Sequence, residues 1–327
     1  MTTERTERFE INEAQAGERL DRVVADTLAD VSRSQVRQLL TAGAVRVNGA
    51  SPKKAGHRLQ VGDLVEVDRR TSPLDSPPEA EPIPLDVRYE DEWLAVIHKP
   101  AGLVVHPAQG HPSGTLVNGL LHRYPDLHAG ESPGRPGLVH RLDKDTSGLL
   151  VVALTVEAHR GLKAQMEART VARHYLAVAH GPKIAAEGTI ETLYGRHPKH
   201  RKKMTGRVAE GRRAVTHWTV RARGQALVLL EARLETGRTH QIRVHLSEAG
   251  HPIVADATYG RTTPSGGGGQ LAIELAAARR MPRQALHAAS LGFIHPITGE
   301  DLSFEAEPPE DMRALIGRVF PPRGNPD

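Results

Sequence analysis

The chain has 327 residues, 43 Lys and Arg against 39 Asp and Glu, 3% aromatics and no cysteine. The missing thiols exclude a disulfide framework, a thiolate zinc site, an iron–sulfur cluster and a cysteine nucleophile. Met1 to Glu13 is charged and polar where a secretory signal needs an apolar run, and no stretch approaches the roughly 18 apolar residues of a membrane span, so about two domains of a soluble, cytoplasmic protein without membrane contact are expected.

Leu20, Val23, Val24 and Leu28 recur at helical spacing. Ser32 is positioned to cap a second helix whose apolar side is Val36, Leu39 and Leu40, which leaves Arg33 and Arg37 together on the opposite side. After Gly43, the stretch Ala44 to Val47 alternates like a strand and meets the tight-turn pair Asn48-Gly49; Leu59 to Val67 alternates again around Gly62-Asp63. Between Val31 and Gly62 stand six basic residues, Arg33, Arg37, Arg46, Lys53, Lys54 and Arg58, and no acid. That cationic face suits a polyanion, and it belongs to a small helix-and-strand module over residues 17–70.

Thr71 to Pro84 carries five prolines among acids and reads as an extended linker, 71–84. A larger domain is expected over 85–320. Val87, Leu94 to Ile97, Leu103 to Val105 and Leu149 to Ala153 read as strands; Thr155 caps a helix burying Ala158, Leu162 and Met166; Ala172 to Ala179 alternates as a further strand. Thr239 is expected to cap a helix whose Ile242 and Leu246 face inward. Strands and helices mix without a regular repeat, so the class is α+β rather than doubly wound. Gly266 to Gly269 lacks the surroundings of a phosphate loop and reads as a flexible surface connection.

The densest group of reactive side chains is His140-Arg141-Leu142-Asp143-Lys144-Asp145-Thr146-Ser147-Gly148, just before the buried strand. A carboxylate flanked by Arg, Lys and His is held ionised, suited to act as nucleophile or base and unsuited to donate a proton. Spacing alone fits equally well a loop that merely ties itself down. Arg196 to Arg213 holds eight basic residues, Arg196, Lys199, Arg201, Lys202, Lys203, Arg207, Arg212 and Arg213, against Glu210 alone: a solvated loop or an arm contacting phosphates. Among the 18 histidines, His240 and His245 are five apart and His122 and His128 six, which matches no metal-binding pattern, and no dinucleotide fingerprint is present; neither metal nor cofactor is expected.

These blocks resemble two known families. Arg19-Leu20-Asp21, Ser32-Arg33-Ser34, Val47-Asn48-Gly49 and Gly62-Asp63 are similar to the S4 RNA-binding domain, whose helix pair lies against structured RNA. The His140-Arg141-Leu142-Asp143 run resembles the signature of the RluA-type pseudouridine synthases. Further agreement lies at Lys99-Pro100-Ala101-Gly102, Gly114-Thr115-Leu116, Tyr175-Leu176-Ala177, Thr236-Gly237-Arg238-Thr239-His240-Gln241-Ile242-Arg243, Gly250-His251-Pro252 and Leu286-His287-Ala288. The order of domains resembles the type that acts on large-subunit ribosomal RNA.

The resemblance implies a mixed, mainly antiparallel sheet with flanking helices, an isomerase that extrudes a uridine from structured RNA, no cofactor, and a monomer with no required protein partner. It implies Asp143 as the catalytic aspartate, Arg141 in the gap left by the base, Tyr175 against the uracil, and Arg238 paired with Asp143. Lys99-Pro100, His251 and His287 fall to the scaffold, and Asp145 and Asp256 are weaker site candidates. His98 and Arg173 stand where the family commonly has Asn and Lys. A noncatalytic RNA-binding ribosome-assembly factor of the same fold is the competing reading, and a carboxylate hydrolase lacks the second acid or metal ligands it needs.

Overall fold

The computed structural model describes residues 6–28, 31, 33–68, 78–108, 110–127, 136–200, 202–261, 263 and 268–321. The expected cap at Ser32, the linker through Pro77, Arg201 and His128 lie outside the described residues. The chain divides into two compact units, Met1–Pro77 and Pro78–Asp327.

The first unit contains β1 (Thr6–Glu10), α1 (Leu20–Thr27), α2 (Arg33–Thr41), β2 (Val45–Val47) and β3 (Leu64–Asp68), with the strands in the order β1-β3-β2. Leu20, Val24, Val36, Val45, Val65 and Val67 form its buried core. Asn48 and Gly49, both left-handed, make the expected turn, closed by Val47 and Ala50. Two expectations shift. β1 lies ahead of residue 17: its Thr6-Glu7-Arg8-Phe9-Glu10 has almost no apolar signal and is held by backbone pairing to β3. Residues 59–63 are not strand, because Gly17 donates to the Leu59 carbonyl and Gly62 turns at φ 83° before β3 begins.

The second unit carries β4 (Asp86–Glu90), β5 (Leu94–Lys99), α3 (Leu116–Arg123), β6 (Ser147–Ala153), α4 (Val156–Ala168), β7 (Ala172–His180), β8 (Glu187–Arg196), β9 (Met204–Thr205), β10 (Arg212–Arg223), β11 (Leu227–Leu234), α5 (Gln241–Glu248), α6 (Gly269–Arg280), β12 (Leu286–Ile294), β13 (Asp301–Glu305) and α7 (Glu310–Val319). Its ten strands form one sheet in the order β4-β5-β6-β12-β7-β11-β10-β8-β9, with β13 also on β12. Every ladder between these strands is antiparallel except β6 with β12. The α+β expectation is met.

β5 and β6 read as continuous apolar runs because both faces of the sheet are covered. Ala95, Ile97, Leu150 and Val152 join the larger core with Leu116 and Leu246, while Leu94, Val96, Leu149 and Val151 join a second core with Ala158 and Leu162 of α4. Thr155 caps α4 by accepting from the Ala158 N–H at 3.2 Å.

Three segments depart from expectation. Leu103 to Val105 is not a strand: the Val104 and Val105 carbonyls accept from the Leu116 and Val117 N–H groups, otherwise orphaned in the first turn of α3. The end of the expected linker, 78–84, docks on the second unit. There the Glu81 N–H donates to the Asn118 carbonyl at 3.0 Å and Asn118 donates to the Glu79 carbonyl at 2.7 Å. Gly269, expected in a loose connection, opens α6.

Candidate active site and RNA-binding surface

The loop that ends in β6 is built from alternating anchors. Leu142 is buried in the larger core, so its neighbours Arg141 and Asp143 turn the other way. His140 accepts from the Val151 N–H at 3.0 Å, and burial pushes this imidazole down to about 3, which keeps it the neutral acceptor that bond requires. At the far end Gly148 sits at φ +120°, where an added Cβ would lie 2.2 Å from the Ala288 carbonyl oxygen; only glycine lets β6 meet β12 there. Next to it His287 donates from Nε2 to the Ala306 carbonyl at 2.9 Å and accepts from the Ser147 hydroxyl at 2.9 Å.

Lys99 does more than hold scaffold. Its fully buried ammonium donates to the carbonyls of Pro100, Leu103 and Lys144 at 2.6, 2.9 and 3.0 Å, tying the end of β5 to the loop that carries Asp143. Burial pushes Lys99 down to about 7, against the pull of the Asp145 and Asp143 carboxylates.

Asp143 borders a cleft of about 590 Å³ whose wall also includes His106, Tyr175, Arg238, His240 and Arg243. Its Oδ2 accepts from Arg243 Nη1 at 2.9 Å. Arg243 in turn donates from Nε and Nη2 to both oxygens of buried Asp256, at 2.7 and 2.9 Å. Asp256 also accepts from the Thr258 and Tyr259 N–H groups. Burial opposes the charge on Arg243 and on Asp256, yet their mutual contact, with Asp143 added for the arginine, leaves the guanidinium above and the Asp256 carboxyl below its ordinary range.

The arginine that meets Asp143 is therefore Arg243, and the expected pairing with Arg238 is corrected. Arg238 borders the same cleft but turns its Nε to the Arg213 carbonyl at 3.4 Å. The physical reason is where α5 starts. The residue at its N-cap is His240, at φ 61°, and not Thr239, so Arg243 falls inside the first turn and Arg238 outside the helix. Gln241 to Leu246 are all buried, which erases the amphipathic signal that could have shown the helix phase. What remained legible was an arginine between Ile242 and Val244, a group that when buried stays charged only beside carboxylates, thirteen residues ahead of Asp256.

His240, given no role in sequence beyond a rejected metal ligand and a place in a family-matching block, stands with its Nε2 at 3.8 Å from Asp143 Oδ1. Its Nδ1 lies 2.9 Å from the Tyr259 hydroxyl, which accepts from the Met204 N–H at 2.8 Å. Tyr175, on β7, is buried in the cleft wall, and burial raises its phenol pKa. Arg141 is exposed, with Nη1 at 3.3 Å from His106 Nε2.

In the first unit the basic residues have an organiser that the acid-free stretch concealed. Asp21, fully buried, accepts from Arg19 Nε at 2.9 Å and from Arg33 and Arg37 Nη2 at 3.2 Å each. Arg19 above all, with Arg37 and Arg33, holds this carboxyl well below the usual range despite its burial. The arginines are themselves 43%, 50% and 52% exposed, so they present guanidinium edges outward from a fixed base. Arg46, Lys53, Lys54 and Arg58 are exposed; Arg58 also donates to the Gly17 carbonyl at 2.6 Å.

The second basic stretch divides. Arg196, Lys199 and Lys202 are exposed around the β8–β9 turn, and Lys203 stands 5.8 Å over the ring of Tyr259. Arg213, by contrast, is held by Glu191 and Glu235, and Arg207 donates to the Glu248 carbonyl.

Residues 93–248 match the model of the RNA pseudouridylate synthases and residues 18–65 that of the S4 domain. An uncharacterized RNA pseudouridine synthase of Bacillus subtilis is 47% identical over 311 residues, which cover 93% of this chain and 95% of that one. A ribosomal large subunit pseudouridine synthase D of Xanthomonas campestris is 45% identical over 316 residues, 94% of this chain and 91% of that one. Among solved structures, human RNA pseudouridylate synthase domain containing 4 aligns with a TM-score of 0.54 and 27% identity over 71% of this chain and 92% of the human one.

Proposed function

This chain belongs to the RNA pseudouridine synthases, a family of isomerases, and we propose that it converts uridines of large-subunit ribosomal RNA to pseudouridine with Asp143 as the catalytic carboxylate. One observation carries the assignment: Asp143 borders a cleft with one carboxylate oxygen held by Arg243 and the other facing the ring of His240 without a hydrogen bond. A carboxylate so restrained has a fixed direction, which is what reaction at an anomeric carbon requires.

The isomerisation breaks the N1–C1′ bond, turns the uracil and joins C5 to C1′; C5 loses its proton and N1 gains one. Nothing is oxidised, so the overall reaction calls for no electron carrier. The C1′ centre passes through oxocarbenium character, and a negative oxygen at its face stabilises that charge or bonds to it. A cleft of about 590 Å³ has the size of a small-molecule site and accepts one extruded nucleotide, not a stacked duplex. Arg141, exposed and cationic at the rim, is suited to fill the gap left in the stack, and Tyr175 offers an aromatic face to the uracil. The S4 domain contributes RNA binding through Arg33, Arg37, Arg46, Lys53, Lys54 and Arg58; Arg196, Lys199, Arg201, Lys202 and Lys203 add contacts to phosphates, which position the RNA without reading its sequence. The chain works as a monomer.

Release of tritium from large-subunit RNA labelled at uracil C5 tests the assignment. The wild type releases it; Asp143→Asn binds the same RNA and releases on the order of 10³-fold less or none. Equal release by both proteins ends the catalytic role of Asp143. Sequencing of chemically labelled pseudouridine in RNA from cells with and without the protein identifies the target uridines.

A further inference from the structure

The cleft offers one more group whose chemistry the functional reading leaves unused. His240 is held from behind. The Tyr259 hydroxyl accepts from the Met204 N–H and has its own proton to donate, which we assign to the contact with His240 Nδ1 at 2.9 Å. Burial favours the protonated phenol of Tyr259 and the neutral ring of His240. With Nδ1 the acceptor, the ring proton is on Nε2, the atom that looks toward Asp143 Oδ1 from 3.8 Å. The backbone supports the same placement: His240 holds φ 61°, ψ 19°, a left-handed conformation that a non-glycine residue keeps only where its surroundings impose it, often at functional sites.

A separation of 3.8 Å is too long for a hydrogen bond and too short for an atom on the line between the two groups. An oxygen roughly 2.7–2.9 Å from each lies to one side, with an angle at that oxygen of about 80–90°. That oxygen would accept from Nε2–H and donate to Oδ1. A uracil carbonyl only accepts, and the uracil N3–H only donates. A hydroxyl does both through one atom. Within an RNA chain the 3′ and 5′ oxygens are esterified, so a nucleotide brings one free hydroxyl.

We propose that His240 and Asp143 together bind the 2′-hydroxyl of the target ribose, His240 donating to O2′ and Asp143 Oδ1 accepting its proton, so that the pair selects ribose over deoxyribose and fixes the sugar beside the reacting carbon. The proposal rests on the reading of the cleft as a uridine-isomerising site. Arg243, bound to the other oxygen of Asp143, leaves Oδ1 available for this role.

The test is a cycle between one atom of substrate and one side chain. RNA oligonucleotides spanning a uridine identified by the mapping above are made with ribose or 2′-deoxyribose at that nucleotide alone. Single-turnover isomerisation and binding are measured for the wild type, His240→Phe and His240→Gln. The wild type should lose about 10- to 100-fold on removal of the hydroxyl. His240→Phe should lose about tenfold less than the wild type on the same change, and His240→Gln, which keeps an N–H donor of similar reach, should recover part of the difference. Thermal midpoints report whether each variant is folded; His240→Asn, compatible with the left-handed backbone but too short to reach O2′, replaces the Phe variant if that one is not. Equal penalties for the deoxyribose in wild type and His240→Phe overturn the proposal, as does a wild type that isomerises both RNAs alike. A wild type that isomerises neither RNA refutes instead the functional reading beneath it.

Discussion

At the scale of residues, the proposed chemistry turns on a single carboxylate with two neighbours of different kind. Arg243 spends two of its nitrogens on Asp256 and offers a third to Asp143, so it serves as a bridge between a structural acid and the proposed catalytic one. Arg243→Gln should therefore both reduce tritium release strongly and destabilise the fold, because Asp256 would be left buried without its cation; loss of one partner of a buried pair costs about 3–5 kcal/mol. Arg238→Gln leaves that bridge intact and should cost stability little. Tritium release and urea unfolding of the two variants decide the matter: equal loss of stability in both would contradict the assignment of the bridge to Arg243.

Helices α1 and α2 of the S4 domain show how an element turns loose charges into a surface. Four side chains, Asp21 on α1 with Arg19, Arg33 and Arg37, form one cluster whose acid is inside and whose cations are outside. The shared buried anion fixes three long, half-exposed side chains that would otherwise lose entropy on meeting phosphate. The consequence has an unusual sign. Asp21→Asn raises the net charge by one and should nonetheless weaken binding to structured RNA, whereas Asp26→Asn, at an exposed position on the same helix, makes the same change in charge and should leave binding equal or slightly tighter. Filter binding at two salt concentrations measures both; tighter binding by Asp21→Asn would show that bulk charge outweighs the arrangement.

For the molecule as a whole, the ten-stranded sheet buries polar groups that must stay neutral as well as apolar ones. His180, His245 and His287 are at most 1% exposed, and burial pushes each down to about 4. In the unfolded chain a histidine titrates near 6.5, as a rule about two units higher. Between those values the unfolded chain binds more protons than the folded one, so stability is full above about pH 6.5 and falls as pH drops toward 4. The urea midpoint should decline across that window. His180→Leu should make the decline shallower at little cost, because the His180 Nε2 has no hydrogen-bond partner to lose among the described residues. A midpoint that holds level from pH 7 to 4.5 would contradict the buried neutral state.

The amino-acid sequence by itself determined the α+β class, the S4-like module, α4 with its Thr155 cap, the buried run of β6 and the loop around Asp143. Each of these is written in local terms, as periodicity, a capping residue or a run of functional groups next to a strand. Tertiary structure alone decided which arginine meets Asp143, why Lys99 is buried, how β1 pairs, and where the segment before β4 lies. Those outcomes depend on partners distant in the chain: Asp143 and Arg243 are 100 residues apart, and Lys99 reaches the Lys144 carbonyl across 45. A buried ion or an edge strand has no local signature, because what stabilises it is the group it meets and not the residues beside it.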